Sequence, residues 1–229
     1  MTAPLLNAPL PRVVSVNVGA PRLVRWRDRD VLTSIFKDPV PGRVAVRGVN
    51  LAGDDQADRS VHGGPDKAVY AYAREDLDWW SDGLGASLPP GVFGENLTVT
   101  GVAVTNAVIG ERWRVNDVLL EVCAPRIPCY KLGIRLGEDG FPRLFAAAGR
   151  PGAYLRILSG GTVAAGDSLT VEHRPTHGVT VQTVAEVYHR DRSRLAELLA
   201  APELADGWQD WARSMLDPAS RRSKQASTR

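Results

Sequence analysis

Cysteine is nearly absent from this chain, with two, Cys123 and Cys129, in 229 residues. With no export signal beside them, two thiols do not suggest a disulfide framework, so a reduced, cytosolic protein is expected. They stand six apart, which is not the Cys-x-x-Cys spacing of a structural zinc site. Two cysteines are also too few for an iron–sulfur cluster, and no Cys-x-x-Cys-His haem attachment occurs. Rossmann and Walker glycine patterns are missing as well. So are long apolar runs: no stretch approaches the roughly 20 residues of a membrane span. The Pro-, Ala- and Leu-rich start has no basic n-region and does not read as a secretory signal. Net charge is small, 28 basic residues against 26 acidic leaving +2. That implies no strong field, so neither nucleic acid nor a membrane is expected as a partner. Arg221, Arg222, Lys224 and Arg229 read as a solubilising tail.

What is present is a 44% hydrophobic chain, enough for one core or one core plus an appendage. Short β segments broken by Gly, Pro and Asp fill the stretch to about Glu172. They are Val13–Val18, Leu23–Trp26, Arg43–Val49, Ala68–Tyr72, Leu97–Thr100, Glu111–Val115, Val118–Val122, Ala153–Leu158 and Leu169–Glu172. Such a series points to an antiparallel barrel or sandwich. Two helices interrupt it, at 74–81 and 141–148. Ser159-Gly160-Gly161 and the run from Ala165 to Ser168 read as turns. After Pro175 the period changes. Val181, Val184, Ala185 and Tyr188 recur at helical spacing, as do Leu195, Leu198 and Leu199. Leu204, Trp208, Trp211, Ala212 and Met215 make a third stripe, ended by Pro218. Short helices of this kind must pack together or onto the sheet.

Three clusters could carry chemistry. In the run from Ala124 to Leu132, prolines 125 and 128 stiffen the exit of an apolar, half-buried strand, and both lack a backbone donor. Cys129 ends the stiff segment between Arg126 and Lys131, whose charges favour a thiolate. Such a thiolate is a nucleophile or a soft metal ligand, and the same residue also reads as a small apolar cysteine beside a turn. The second cluster runs from His62 through Gly63, Gly64 and Asp66 to Lys67. Its glycines allow backbone N–H groups to turn toward an anion, and it reads equally as an ordinary Gly-Gly-Pro turn. In the third, Glu95 and Asn96 between Gly94 and a strand suit hydrogen bonding to the edge of a heterocycle, or a plain polar turn.

In order and character, His-Gly-Gly-Pro-Asp-Lys, then Gly-Glu-Asn-Leu-Thr, then Pro-Arg-Ile-Pro-Cys-Tyr-Lys-Leu, the chain resembles the MOSC family. A β-rich body followed by three helices resembles its bacterial YiiM-type branch. The resemblance implies a mainly β fold, a MOSC-type β-barrel with short helices and a small three-helix C-terminal module. It places a flexible start at 1–12, the barrel at 13–174, the helical module at 175–217 and a flexible basic tail at 218–229. It also implies the molybdenum cofactor, a molybdenum–pterin group, and reduction of N-hydroxylated small molecules such as 6-hydroxylaminopurine. Pyridoxal phosphate binding is an expectation at the level of the family.

Carried over by residue, Cys129 is the molybdenum ligand and a catalytic residue, together with His62. Gly63, Gly64, Asp66, Lys67, Glu95, Asn96, Arg126 and Lys131 are expected at the cofactor, and Cys123 has no assigned role. An external electron-donor protein is expected, and a homodimer is an allowed assembly. Two rival functions stand beside this one. One is a carrier of the cofactor without turnover. The other is a metal-free cysteine hydrolase or transferase, with Cys129 as nucleophile and His62 as base.

Overall fold

The computed structural model describes residues 10–57 and 63–217. Strands β1 (Arg12–Val18), β2 (Arg22–Trp26) and β3 (Arg29–Thr33) precede β4 (Asp38–Pro39), β5 (Val44–Arg47) and β6 (Asn50–Leu51). Next, β7 (Val69–Ala73) leads into helix α1 (Arg74–Leu84), then β8 (Leu97–Thr100), β9 (Arg112–Val115) and β10 (Val118–Pro125). Helices α2 (Tyr130–Leu136) and α3 (Phe141–Ala148) come before β11 (Ala153–Ser159), β12 (Gly161–Val163) and β13 (Thr170–His173). Helices α4 (Val181–His189), α5 (Leu195–Leu198) and α6 (Asp206–Leu216) follow.

Each strand expected from the sequence is present. The additional ones are short or polar: β4 and β6 have two residues each, and β3 exposes three of its five. Gly161, read as part of a turn, instead opens β12, where a Cβ would meet Asp117 Cβ at 3.0 Å. The strand expected to be half-buried is β10, which is buried at all but one position. It also runs past Val122, and Pro125 still pairs with Ala153 as its last residue. Proline ends this strand without preventing its last pairing.

The main sheet has the order β13-β9-β10-β11-β7-β8-β1-β4. Its pairs are antiparallel except β7 with β8. Strand pairing does not close it into the expected barrel. The terminal strand β4 is two residues long and contains Pro39, which has no N–H to extend a ladder. Backbone bonds from Val13 N to Asp167 O (2.9 Å) and from Leu169 N to Pro11 O (3.0 Å) nevertheless bring the first strand beside the last.

Two cores result. The larger joins the sheet to the C-terminal helices, with Val181, Val184 and Val187 of α4 and Leu195 and Leu198 of α5 packed with Trp113, Leu120 and Val122. Burying each of these valines and leucines contributes about 2 kcal/mol, enough to hold a four-residue helix that could not form alone. The Thr180 hydroxyl caps α4 by accepting from Thr183 N at 3.0 Å. The second core is aromatic, with Tyr70, Tyr72, Trp80, Phe93, Phe141 and Phe145 packed together. Among the described residues no helix is long and apolar enough to cross a membrane.

Candidate functional site

The exit of β10 carries a bulge. Its pairing with β11 slips between Val122 and Ala124, and Cys123 is the extra residue. Cys123 is fully buried, and its thiol donates toward Asp66 O (3.2 Å) and Tyr154 O (3.4 Å). Burial pushes this thiol far above its ordinary value, so it stays protonated. Cys129 differs on every count. It is half-buried, has extended backbone (φ −117°, ψ 172°) and directly precedes α2.

Between them lies Arg126, 6% exposed, with its guanidinium 5.2 Å above the Tyr70 ring and 5.5 Å from that of Phe145. These rings hold the cation by stacking, which leaves part of its donor fork unused. Its Nη1 has no hydrogen-bond partner among the described residues, and neither has the buried Ser34 Oγ.

Both residues line a cavity of about 110 Å³ that also reaches Cys129, Tyr70, Tyr154 and Asn96. Four cations, Lys37, Lys67, Arg126 and Lys131, share this lining with two carboxylates, Asp54 and Asp55. Asp54 is committed to the protein. Its Oδ1 accepts from Gly19 N (2.8 Å), and its Oδ2 accepts from Lys37 Nζ (2.6 Å) and Asn96 Nδ2 (2.9 Å). Burial lowers the pKa of Lys37 despite this partner, making its ammonium a stronger acid than an exposed lysine. Burial likewise raises Tyr70 and Tyr154, so both remain phenols.

A second cavity, about 540 Å³, shares Lys67, Ile127, Cys129 and Tyr154 with the first. Its far side comes from the C-terminal helices through Tyr188, Trp208 and Trp211. Cys129 thus stands where a small cationic cavity meets a larger aromatic one.

The residues expected at the site fall into three groups. Lys67, Arg126, Cys129, Lys131 and Asn96 line the first cavity, and Gly63 and Asp66 line the second. Gly64, with φ 97°, begins the short turn Pro65–Lys67 that presents Lys67, a conformation a side chain would strain. Asp66 also pairs with Arg156, which reaches Glu121 (3.3 Å) and the Glu203 carbonyl (2.7 Å). Glu95 lies outside both linings. Its buried carboxylate accepts from Gly91 N (2.6 Å), Phe93 N (3.0 Å) and Thr98 Oγ1 (3.1 Å), and it braces the 91–96 loop. Asn96 is similarly engaged, accepting from Tyr70 N at 3.1 Å. His62 lies outside the described residues.

Sequence reading did not single out Lys37, Asp54, Tyr70 or Tyr154. They come from separate loops and strands: Lys37 meets Asp54 in an ion pair, Tyr70 meets Tyr154 across two paired strands, and one cavity gathers all four. The one local signal was the polar run Gly53-Asp54-Asp55-Gln56.

Comparison with known proteins bears on the family and the fold. Residues 58–170, which hold all three motif clusters, match the MOSC domain. The chain is 34% identical over 199 residues to the uncharacterized protein YflK of Bacillus subtilis, covering 86% of this chain and 90% of YflK. It is 32% identical over 182 residues to Protein YiiM of Escherichia coli, covering 77% of this chain and 81% of YiiM. A protein of Gibberella moniliformis named Reductase is 32% identical over 204 residues, which span 85% of this chain and 35% of that longer protein. The crystal structure of YiiM from Geobacillus stearothermophilus superposes with a TM-score of 0.75 at 28% identity, over 90% of this chain and all of that one. By family match, by relatives and by fold, this chain belongs to the MOSC domain family, on its YiiM-like branch.

Proposed function

We propose that this chain binds the molybdenum cofactor at Cys129 and reduces N-hydroxylated small molecules there. One observation carries the reading: a half-buried thiol shares a cavity with a buried arginine whose Nη1, like the neighbouring Ser34 Oγ, has no partner among the described residues. Unpaired buried donors of this kind are costly unless an acceptor arrives. An anionic group on an organic cofactor is such an acceptor. No group of three or more His, Cys, Asp or Glu side chains that could hold a metal ion occurs among the described residues. A metal here would therefore take most of its ligands from an organic partner, with one thiolate from the protein. The donor set fits the cofactor.

In this reading Cys129 Sγ supplies the protein's sulfur ligand, and Arg126, Lys67 and Lys131 hold the anionic part of the cofactor by charge-assisted bonds. When bound, the cofactor supplies a two-electron couple in a sulfur-rich coordination sphere. Conversion of an N-hydroxylated amine to the amine plus water consumes two electrons and two protons. Lys37 Nζ, acidified by burial and bonded to Asp54, is the proton donor we assign. Tyr70 and Tyr154, kept as phenols, close the cavity with their rings and limit water around the reacting atoms. Membership of the family and the relative named Reductase both support a redox role.

The test is expression in a host that makes the cofactor, then quantitation of molybdenum and pterin in the purified protein. Turnover of an N-hydroxylated substrate with reduced viologen follows. We expect near-stoichiometric cofactor and reduction to the amine. Bound cofactor without turnover would leave a carrier, and protein that never retains molybdenum would sink the reading.

A further inference from the structure

The second cavity is built differently from the first. Tyr188 lies 5.3 Å from Trp208 at 80° and 5.3 Å from Trp211 at 58°, and the two tryptophans are 5.6 Å apart at 86°. Three rings in mutual contact, two pairs edge-on and the Tyr188–Trp211 pair tilted, hold each other in place and form an aromatic wall. Each is half-buried. The prolines that stiffen the loop, Pro125 and Pro128, also line this cavity. Its carboxylate, Asp66, is neutralised by Arg156, and its cation, Lys67, also borders the cationic cavity. At Gly207 a Cβ would meet nothing within 4 Å, so space is left open there. A volume of about 540 Å³ suits a small organic molecule.

We infer that the C-terminal helices form the substrate-selecting wall of the site, and that Tyr188, Trp208 and Trp211 favour flat, uncharged aromatic N-hydroxylated compounds over saturated ones. This rests on the proposed reduction at Cys129, because Cys129 is the thiol among the residues that the two cavities share. The cationic cavity is matched to the charged groups of the cofactor, which leaves the aromatic one for the substrate's ring. A flat ring fits against rigid aromatic side chains and keeps their faces covered. A puckered ring of the same atom count is thicker and loses that contact. Selection therefore lies in ring shape, with the N–OH group turned toward Cys129.

Isothermal titration of the purified full chain with benzohydroxamic acid, and with its saturated counterpart cyclohexanecarbohydroxamic acid, reads this wall without any turnover. We expect the aromatic compound to bind about 3- to 10-fold more tightly, the range of one ring-on-ring contact. Trp211→Leu should abolish the preference and Trp211→Phe should keep it. Trp79→Leu, on α1 and outside both cavities, should leave it unchanged. Tyr188→Leu, on a different helix, keeps the question open to measurement if Trp211→Leu does not fold. Equal binding of the two compounds, no binding of either, or a preference that survives both leucine variants overturns the inference. An aromatic preference in cofactor-loaded protein that reduces neither compound supports the wall and counts against the reductase reading alone.

Discussion

The thiol of Cys123 donates to the carbonyl oxygen of Asp66 at 3.2 Å, tying the bulged exit of β10 to the turn that carries Lys67. The second cysteine, six residues on, lines both cavities instead. Two residues of one type thus separate into a structural thiol and a reactive candidate by burial and partners alone. Cys123→Ser keeps a donor for the same carbonyl and should cost about 1–2 kcal/mol of stability, with cofactor content and activity unchanged. Cys129→Ser should abolish turnover and alter the molybdenum spectrum while leaving the melting temperature near that of wild type. Loss of activity in the Cys123 variant alone would reverse the assignment.

The anion-holding role proposed for Lys67 and Arg126 gives a second expectation. Lys67→Ala should weaken cofactor retention by about 1.5–3 kcal/mol, typical of a lost charge-assisted bond. Arg126→Ala should do the same and also lower stability, because Tyr70 and Phe145 lose the cation packed against them. Molybdenum and pterin occupancy across a dilution series checks both. Unchanged occupancy in the two variants would reject the role.

Much of this arrangement was legible in the chain, and the gaps have physical reasons. Short apolar segments broken by Gly, Pro and Asp marked the longer strands, because such residues punctuate a sheet with turns. Two-residue strands such as Asn50–Leu51 carry too few positions to show any period. The segment after Cys129 passed unread as a helix because seven residues, Tyr130–Leu136, follow directly on a proline-rich stretch with no side-chain cap. Motif resemblance pointed to Cys129, Arg126 and Lys67, which the fold brings to one cavity. It could not reveal Lys37 and Asp54, whose relation is a 2.6 Å contact between loops 17 residues apart. The aromatic stripe of the last helix read as core, and its periodicity was correct. That Trp208 and Trp211 also border a cavity depends on the placement of the helix, which periodicity does not encode.

Asp167 offers a test of stability against pH. Burial works against its charge, but hydrogen bonds from Asn116, the Ala164 amide and Arg43 outweigh it and hold the carboxyl below its ordinary value of 3.8. A carboxylate depressed in this way contributes stability that is fully present above the unfolded value and lost as pH falls through the folded one. Asp167→Asn should therefore lower stability by about 1–2 kcal/mol at neutral pH. The gap from wild type should narrow as pH drops below 3.8. Urea denaturation at pH 7 and at pH 3 measures it, and a gap that widens in acid would contradict the assignment.

The last expectation concerns the source of electrons. Reduction of an N–OH group consumes two electrons, and this chain has no Rossmann glycine pattern with which to bind a nicotinamide or flavin dinucleotide. Its two cysteines could not furnish four cluster ligands even if neither were used elsewhere, and one is buried as a protonated thiol. For the proposed reduction, a separate redox protein is the expected source of electrons near Cys129. The relative of Gibberella moniliformis named Reductase is longer, and the match spans 35% of it. Cofactor-loaded protein should be inactive with NADH or NADPH alone. Reduced viologen, or a reductase fraction from the same cell, should restore turnover in proportion to molybdenum content. Sustained NAD(P)H-driven turnover by the isolated chain would refute the arrangement, since it would require a dinucleotide site that neither the sequence nor the two cavities at Cys129 account for.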